Sequence, residues 1–266
     1  MKLSLSCRNL IVTEEAVSFI QEHHYSPVLP KLTKHYLGFF LDGKLRGVLT
    51  LGWGTQPKAT INKMFHGLDS SHYFEIGKMC MDDEMPRTAE SQMLSLAVKW
   101  MKENLPDVHF LYTMADGIMG KVGYVYQASN FLYGGSYLTD VYMMENGEKL
   151  HPRSTKSLCL ENAKELGKER VFWLTSDFML KRGIKRIKGR MFRYIYPLTK
   201  AARRVVSGKI STIDEKDVSS RIEWSLDYPK DDSCQWFDFT EGKRVEIAKP
   251  RFVLELGNIK YNKNLG

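Results

Sequence analysis

The chain has 266 residues, a hydrophobic share of 43%, a charged share of 26% and a formal net charge of +8. This composition fits an ordinary globular protein of one large domain, or one domain with an appendage. No apolar run approaches the ~20 residues of a bilayer span, and the opening MKLSLSCRNLIVTEEAV lacks the long apolar region of a secretory signal, so a cytoplasmic protein without membrane association is expected.

Residues 11–22 read as a first helix, capped by Thr13, with Ala16, Val17 and Ile20 on one face. Pro27 and Pro30 break the next stretch into a loop. YLGFFLDGKLRGVLTLGW then reads as a hairpin about Asp42-Gly43, a preferred two-residue turn. Residues 55–72 look irregular. FEIGKMCM (74–81) reads as a strand, and Pro86 and Thr88 open a helix over roughly 87–104 that ends at Pro106. VHFLYTMA (108–115) reads as a buried strand. A short helix over 119–128 and a closing strand pair in NFLYGGSYLTDVYMM follow. Beyond residue 150, ENAKELG suggests a helix, and RMFRYIYPL, RIEWSLDYP, QWFDF and RFVLELG suggest strands. The order of elements predicts an α/β (α+β) fold.

Charge divides the chain. Residues 1–150 hold 14 Lys and Arg against 16 Asp and Glu, net −2; residues 151–266 hold 39 − 14 = 25 against 31 − 16 = 15, net +10. The reading is therefore a catalytic domain over 1–150 and a basic extension with strands over 151–266, with a boundary near 145–155. Residues 181–204 carry ten Lys and Arg and no acid. Lys185, Arg186, Lys188, Arg190 and Arg193, with Phe192, Tyr194 and Tyr196 between or beside them, suit phosphates and stacked bases. The plain alternative is a solvated basic face.

Cys7, Cys80, Cys159 and Cys234 are scattered and form no CxxC pair. They read as small buried hydrophobes in a reducing compartment. His23 and His24 are adjacent on a loop, and no His or Cys cluster has ligand spacing, so no metal site is expected.

The densest functional signal lies in ADGIMGKVGYVYQASNFLYGG (115–135) and in EIGKMCMDDEMPRTAES (75–91). A strand entering a helix presents free N–H groups to an anion. Arg87, Thr88 and Ser91 at that helix start are candidates for donor binding, against the alternative of a solvated first turn. Lys78 on the strand is a candidate for a cleft cation, against an exposed strand lysine. Asp116 reads as a base or orienting group, or else as a helix cap at an Asp-Gly turn. Tyr126 reads as a proton donor, or else as a packing tyrosine, and Tyr124 reads as packing.

This layout resembles the GCN5-related N-acetyltransferase (GNAT) fold, a mixed central sheet flanked by helices. There the strand-to-helix turn holds the coenzyme A pyrophosphate, and a tyrosine near a Gly-Phe pair protonates the departing thiolate. Tyr126 through Asn130-Phe131 matches that spacing, with Asn130 in place of glycine. Arg87 through Gln92 lacks the turn's two glycines, and Glu90 adds a negative charge. Taken with EHHYSPVLPK and DGKLRGVLTLGWG, the blocks over roughly 22–137 resemble the Mom family of phage DNA-modification proteins. LKRGIKRIKGRMFRYIYPL resembles that family's continuation, and 205–266 shows no usable resemblance. Two family positions differ: Lys78 stands for an Arg, and Lys121 for a His.

The resemblance implies a transferase that places a carbamoylmethyl or acyl-type group on the N6 amine of adenine in double-stranded DNA, protecting it from restriction. It implies Tyr126, Asp116, Ser91 and Lys78 as catalytic residues and Arg87, Thr88, Ser91 and Asn130 as donor-binding residues. His24 and Tyr25, in a His-Tyr-Ser loop, would meet the target base or a phosphate. Acetyl-CoA or a related acyl or glycyl donor is implied, and an iron link is raised. A phage gene would place the protein in the host cytoplasm. Two other readings stay open: an acyl-CoA-dependent N-acyltransferase acting on a protein or small molecule, and a non-catalytic DNA-binding relative.

Overall fold

A computed structural model describes residues 3–25, 29–152 and 155–253. Strand β1 (Ser6–Asn9) precedes helix α1 (Thr13–His23). Thr13 is the first helical residue rather than the cap; Val12 holds the cap position, without a side-chain bond. Strands β2 (Leu32–Leu41) and β3 (Lys44–Trp53) form the expected hairpin. Asp42 and Gly43 both have positive φ, 50° and 76°, as a tight hairpin turn that follows the strands' own twist requires.

The region expected to be irregular contains helix α2 (Pro57–Met64) and the short strand β4 (Phe65–His66). Pro57 sits at the helix start, where its missing N–H costs nothing. Ile61 and Met64 are buried beneath it; the helix is too short for its periodicity to stand out in the sequence.

Strand β5 (Tyr73–Met81), helix α3 (Ala89–Asn104) and strand β6 (Phe110–Asp116) follow as expected. Met93, Leu94, Ala97, Val98 and Met101 give α3 a buried stripe, and each large apolar side chain so placed contributes about 1.5–3 kcal/mol. A 3₁₀ turn (Gly117–Met119) and helix α4 (Tyr124–Ala128) precede β7 (Leu132–Met143). The expected strand pair is one long strand. Its Gly134-Gly135 marks a bulge, where the register with its neighbour shifts between Tyr133 and Ser136. The Trp224 ring lies where a Gly134 side chain would be, 2.2 Å from a Cβ position.

The rest comprises β8 (Lys149–Leu150), α5 (Lys156–Glu165), α6 (Ser176–Lys181), β9 (Lys185–Pro197), α7 (Lys200–Val206), β10 (Ser211–Ile213), β11 (Lys216–Ser220), β12 (Trp236–Asp238) and β13 (Val245–Ile247). QWFDF supplies β12. RIEWSLDYP forms no named strand, only an isolated bridge from Ser225 to Tyr133. In RFVLELG, Val253 bridges Glu148, and residues 254–257 lie outside the described part.

The main sheet is mixed and runs β1-β2-β3-β5-β6-β9, with β7 along the other edge of β9. Strand β9 lies antiparallel between β6 and β7, and its first half also pairs with β12. The boundary expected near 145–155 falls before α5, yet β9 returns from beyond it into the centre of the sheet. Helices α3 and α4 cover one face over Leu37, Leu49, Leu111, Phe192 and Tyr194. Helices α1, α2 and α7 cover the other face through two clusters, one around Phe40 and Val48 and one around Tyr73, Phe110 and Ile195. The predicted α/β sheet flanked by helices is observed. Among the described residues, no helix is long and apolar enough to cross a membrane.

Candidate active site

Strands β5 and β6 pair in parallel only over Tyr73–Glu75 and Phe110–Tyr112. Beyond that they separate, and the gap becomes a cleft of about 510 Å³. Its wall includes His24, Tyr25, Lys78, Glu90, Asp116, Lys121 and Tyr126. A parting between neighbouring parallel strands exposes backbone and inward side chains together, a common place for a ligand.

Lys78 is the deep cation of this cleft. It is only 7% exposed, although an exposed strand lysine was the plain alternative. Burial disfavours its charged form and lowers its pKa to about 8, with nearby Lys149 acting in the same direction and Asp116 opposing. The sequence offered one clue: a single lysine in the otherwise uncharged run IGKMCM.

Asp116 ends β6 and caps the turn that follows. One carboxylate oxygen accepts from the N–H groups of Ile118, at 3.1 Å, and Met119, at 3.4 Å. The other accepts from Lys149 Nζ at 3.0 Å. Both oxygens are thus occupied, so the cap reading is correct and the carboxylate also anchors Lys149 behind the cleft wall. Lys149 escaped the sequence reading because no local pattern links β8 to the end of β6.

Tyr126 projects from α4 and is buried against Phe131 and Tyr194, with ring centroids 5.5 Å away in each case. Thr113 of β6 is its hydrogen-bond partner, and burial raises its pKa, so it keeps its proton. It packs in the core and borders the cleft at once. Tyr124 does not pack; it is 55% exposed and has Asp231 as a hydrogen-bond partner.

His24 stacks on Tyr25 with centroids 4.7 Å apart, and the Lys121 ammonium lies 4.0 Å from the centre of the Tyr25 ring, a cation–π contact. Burial, with smaller contributions from Asp116 and Tyr126, raises the Tyr25 pKa. Ser26 lies outside the described residues. Lys121, where the resemblance implied a His, is held in the cleft wall by the loop Lys121–Gly123, whose Val122 carbonyl accepts from the Tyr194 hydroxyl.

The other sequence candidates sit apart. Arg87 and Thr88 are exposed at the start of α3, and Ser91 Oγ donates to the Thr88 carbonyl at 2.9 Å. None of the three borders the cleft, whereas Glu90 does. Asn130 is exposed, with φ of 58°. It ends α4 in the left-handed conformation that Asn and Gly tolerate, which accounts for Asn standing where the acetyltransferase pattern has glycine.

The basic stretch differs from its reading. It forms a strand as expected, but Phe192 and Tyr194 are 1% and 0% exposed and cannot stack on bases. Arg186 and Lys188 pair with Asp140 at 3.1 and 3.7 Å. Arg190 donates to Gln235 Oε1 and Ser136 Oγ at 2.9–3.2 Å. Arg193 reaches the Ser136 carbonyl at 3.5 Å and lies 5.4 Å from the Tyr137 ring centre. Lys185 is exposed.

Among the described residues, no group of three or more His, Cys, Asp or Glu is placed to hold a metal ion, so the donor set does not fit the iron raised by the resemblance. Cys80 and Cys234 are buried and Cys7 and Cys159 half-buried, all free thiols.

The Mom protein family model matches residues 8–214. The methylcarbamoylase mom of Escherichia phage Mu is 32% identical over 195 residues, covering 73% of this chain and 76% of that protein. Among solved structures, an N-acetyltransferase from Staphylococcus aureus Mu50 is 13% identical, with 73% of this chain and 97% of that chain covered and a TM-score of 0.37. A GNAT family N-acetyltransferase from Escherichia coli, solved with CoA, is 12% identical, with 49% and 70% covered and a TM-score of 0.36. Likeness that low assigns no ligand. The family match and the phage relative each span most of the chain and include the cleft strands, and on them the chain belongs to the Mom protein family, the phage DNA-modification proteins that its sequence blocks resemble.

Proposed function

We propose that this protein is a transferase that modifies double-stranded DNA at the N6 amine of adenine, adding a methylcarbamoyl or related acyl-type group. The observation that carries the reading is the parting of β5 and β6, which brings a buried lysine of lowered pKa and a protonated tyrosine into the lining of one cleft. The amine lone pair is delocalised into the purine and is a poor nucleophile. Inside a duplex it is also out of reach, so the base must leave the stack. A cleft of about 510 Å³ has the size of an ordinary small-ligand site.

In the transfer, N6 forms a bond to the donor's carbon and loses one proton, while the donor's bond to its leaving group breaks and that group gains a proton. Lys78, neutral above a pH of about 8, accepts the N6 proton. Tyr126, kept neutral by burial, supplies the proton to the leaving group. Asp116 is a positioning residue, since both its oxygens hold other groups. His24 and Tyr25, stacked on each other, form one wall of the cleft that the extruded base would enter. An acyl donor such as acetyl-CoA would meet the first turn of α3, where Arg87 offers positive charge and Glu90 opposes it. Ser91, tied to Thr88, shapes that turn and is not a reacting group.

Mass spectrometry of nucleosides from plasmid DNA of cells expressing the protein tests this reading. A new adenosine-derived mass, lost in Lys78→Met and Tyr126→Phe, is expected, and its increment identifies the group. Unmodified adenosine with soluble, folded wild-type protein overturns it. Protection from restriction that survives Tyr126→Phe without any new mass points instead to a DNA-binding relative.

A further inference from the structure

Four lysines from four separate parts of the chain converge on the cleft. Lys78 comes from β5 and Lys121 from the turn before α4, and both line the wall. Lys149 comes from β8 and holds Asp116 at 3.0 Å. Lys249, just after β13, places its Nζ 2.6 Å from where a Gly120 side chain would begin; Gly120 also lines the cleft. Asp116 offsets one of these charges and Glu90 another. Glu75 lies at the closed end, where β5 still pairs with β6. Asp231 meets the cleft-lining Tyr124, and among the described residues Lys121 and Lys249 form no salt bridge, so these two ammonium groups are the ones left to an anion at the mouth.

Lys249 does not arrive there by chance of a loose tail. Strand β12 pairs with β9 at residues 187–189, and Trp236 Nε1 donates to the Ile118 carbonyl at 2.9 Å, on the turn that leads to Gly120. Strand β13 pairs with β12 and carries the chain on to Lys249. This segment lies beyond the family-matched span of 8–214. It completes the mouth of a cleft whose floor belongs to the family fold.

We propose that Lys121 and Lys249 form a phosphate-binding rim that grips the backbone of the nucleotide whose base enters the cleft. The proposal rests on the DNA-modifying reading above. A flipped nucleotide brings its flanking phosphates to the cleft mouth, and mobile ammonium groups suit them because they bind as point charges without demanding one orientation. The paired residues of β9 are committed to Asp140, Ser136 and Gln235, so the rim replaces them as the expected phosphate contact.

The test is binding of the full chain to a short adenine-containing duplex, by fluorescence anisotropy, across a salt series. Lys249→Gln and Lys121→Gln are each expected to flatten the slope of log K against log salt by about 0.9, the value for one lost phosphate contact. Lys249→Arg should restore it, and Lys209→Gln, an exposed lysine after α7, should leave it unchanged. An unchanged slope in Lys249→Gln, or an equal change in Lys209→Gln, overturns the rim, even if wild-type protein modifies DNA. If wild-type protein binds no duplex, tripolyphosphate is the probe. Thermal stabilisation of wild type but not of Lys249→Glu keeps the rim, assigns it to a donor's phosphates and removes the DNA reading. Stabilisation of neither, or of both alike, overturns the rim as well.

Discussion

Two groups of basic side chains behave in opposite ways in this molecule. On β9 they are neighbours in sequence, conspicuous, and matched: Asp140 takes Arg186 and Lys188, while Gln235 and Ser136 take Arg190. Around the cleft they are single lysines spread from residue 78 to residue 249, with Asp116 holding one of them. A run of charge reports how many ions a segment carries. Whether an anion can use them depends on which partners the fold supplies, and those come from distant strands.

The comparison is broken most forcefully through Lys78. Lys78→Met should lower the modification rate by 10²–10⁴-fold, the usual contribution of a positioned acid or base, measured by nucleoside mass spectrometry against time. A loss of less than about tenfold would return Lys78 to a structural role. The same substitution has a stability signature. The folded pKa of about 8 lies below the ordinary 10.5, so the unfolded chain binds the extra proton between those values. Stability conferred by the neutral form therefore rises as pH climbs from about 8 towards 10.5, by roughly 3 kcal/mol at most. Urea titrations at pH 7.5 and 9.5 should show this rise in wild type and a smaller one in Lys78→Met.

The matched side of the comparison is sharpened by Asp140→Ala. Removing the shared carboxylate strands two partly buried cations and should cost about 1–3 kcal/mol in urea denaturation, with little change in the salt dependence of DNA binding. A steeper salt slope in that variant would mean that Arg186 or Lys188 is released to phosphate. The smallest effect is expected at Asn130. Asn130→Gly should change stability by less than ~0.5 kcal/mol and Asn130→Ala should cost about 1 kcal/mol, because the backbone there is left-handed. Equal costs for both would show that the Asn side chain itself makes a needed contact.

Much of the sheet was legible in the sequence because its signals are local. Asp42-Gly43 fixes a hairpin, Pro86 and Pro106 bracket α3, and apolar runs mark β5 and β6. The position of Asp116 at a strand end and of Tyr126 on a short helix was legible for the same reason. The parting of β5 from β6, the pairing of Asp116 with Lys149 and the arrival of Lys249 were not, since each depends on contacts between elements far apart in the chain. The burial of Phe192 and Tyr194 was hidden too. Alternation along β9 distinguishes two faces, but it does not say that neighbouring strands and α3 cover one of them.

The insertion of β9 between β6 and β7 has a consequence for how the chain comes into being. During synthesis, β6 and β7 emerge from the ribosome well before their common neighbour, and until residue 197 is made they present long open edges. Such edges are templates for pairing with other chains. The sheet therefore closes late, by non-local steps that are slow. A fragment ending near residue 150 would keep most of the cleft's residues but lose Met191, Lys249 and the strand that sets their spacing, so expression of the isolated first part should give aggregates rather than a smaller folded protein.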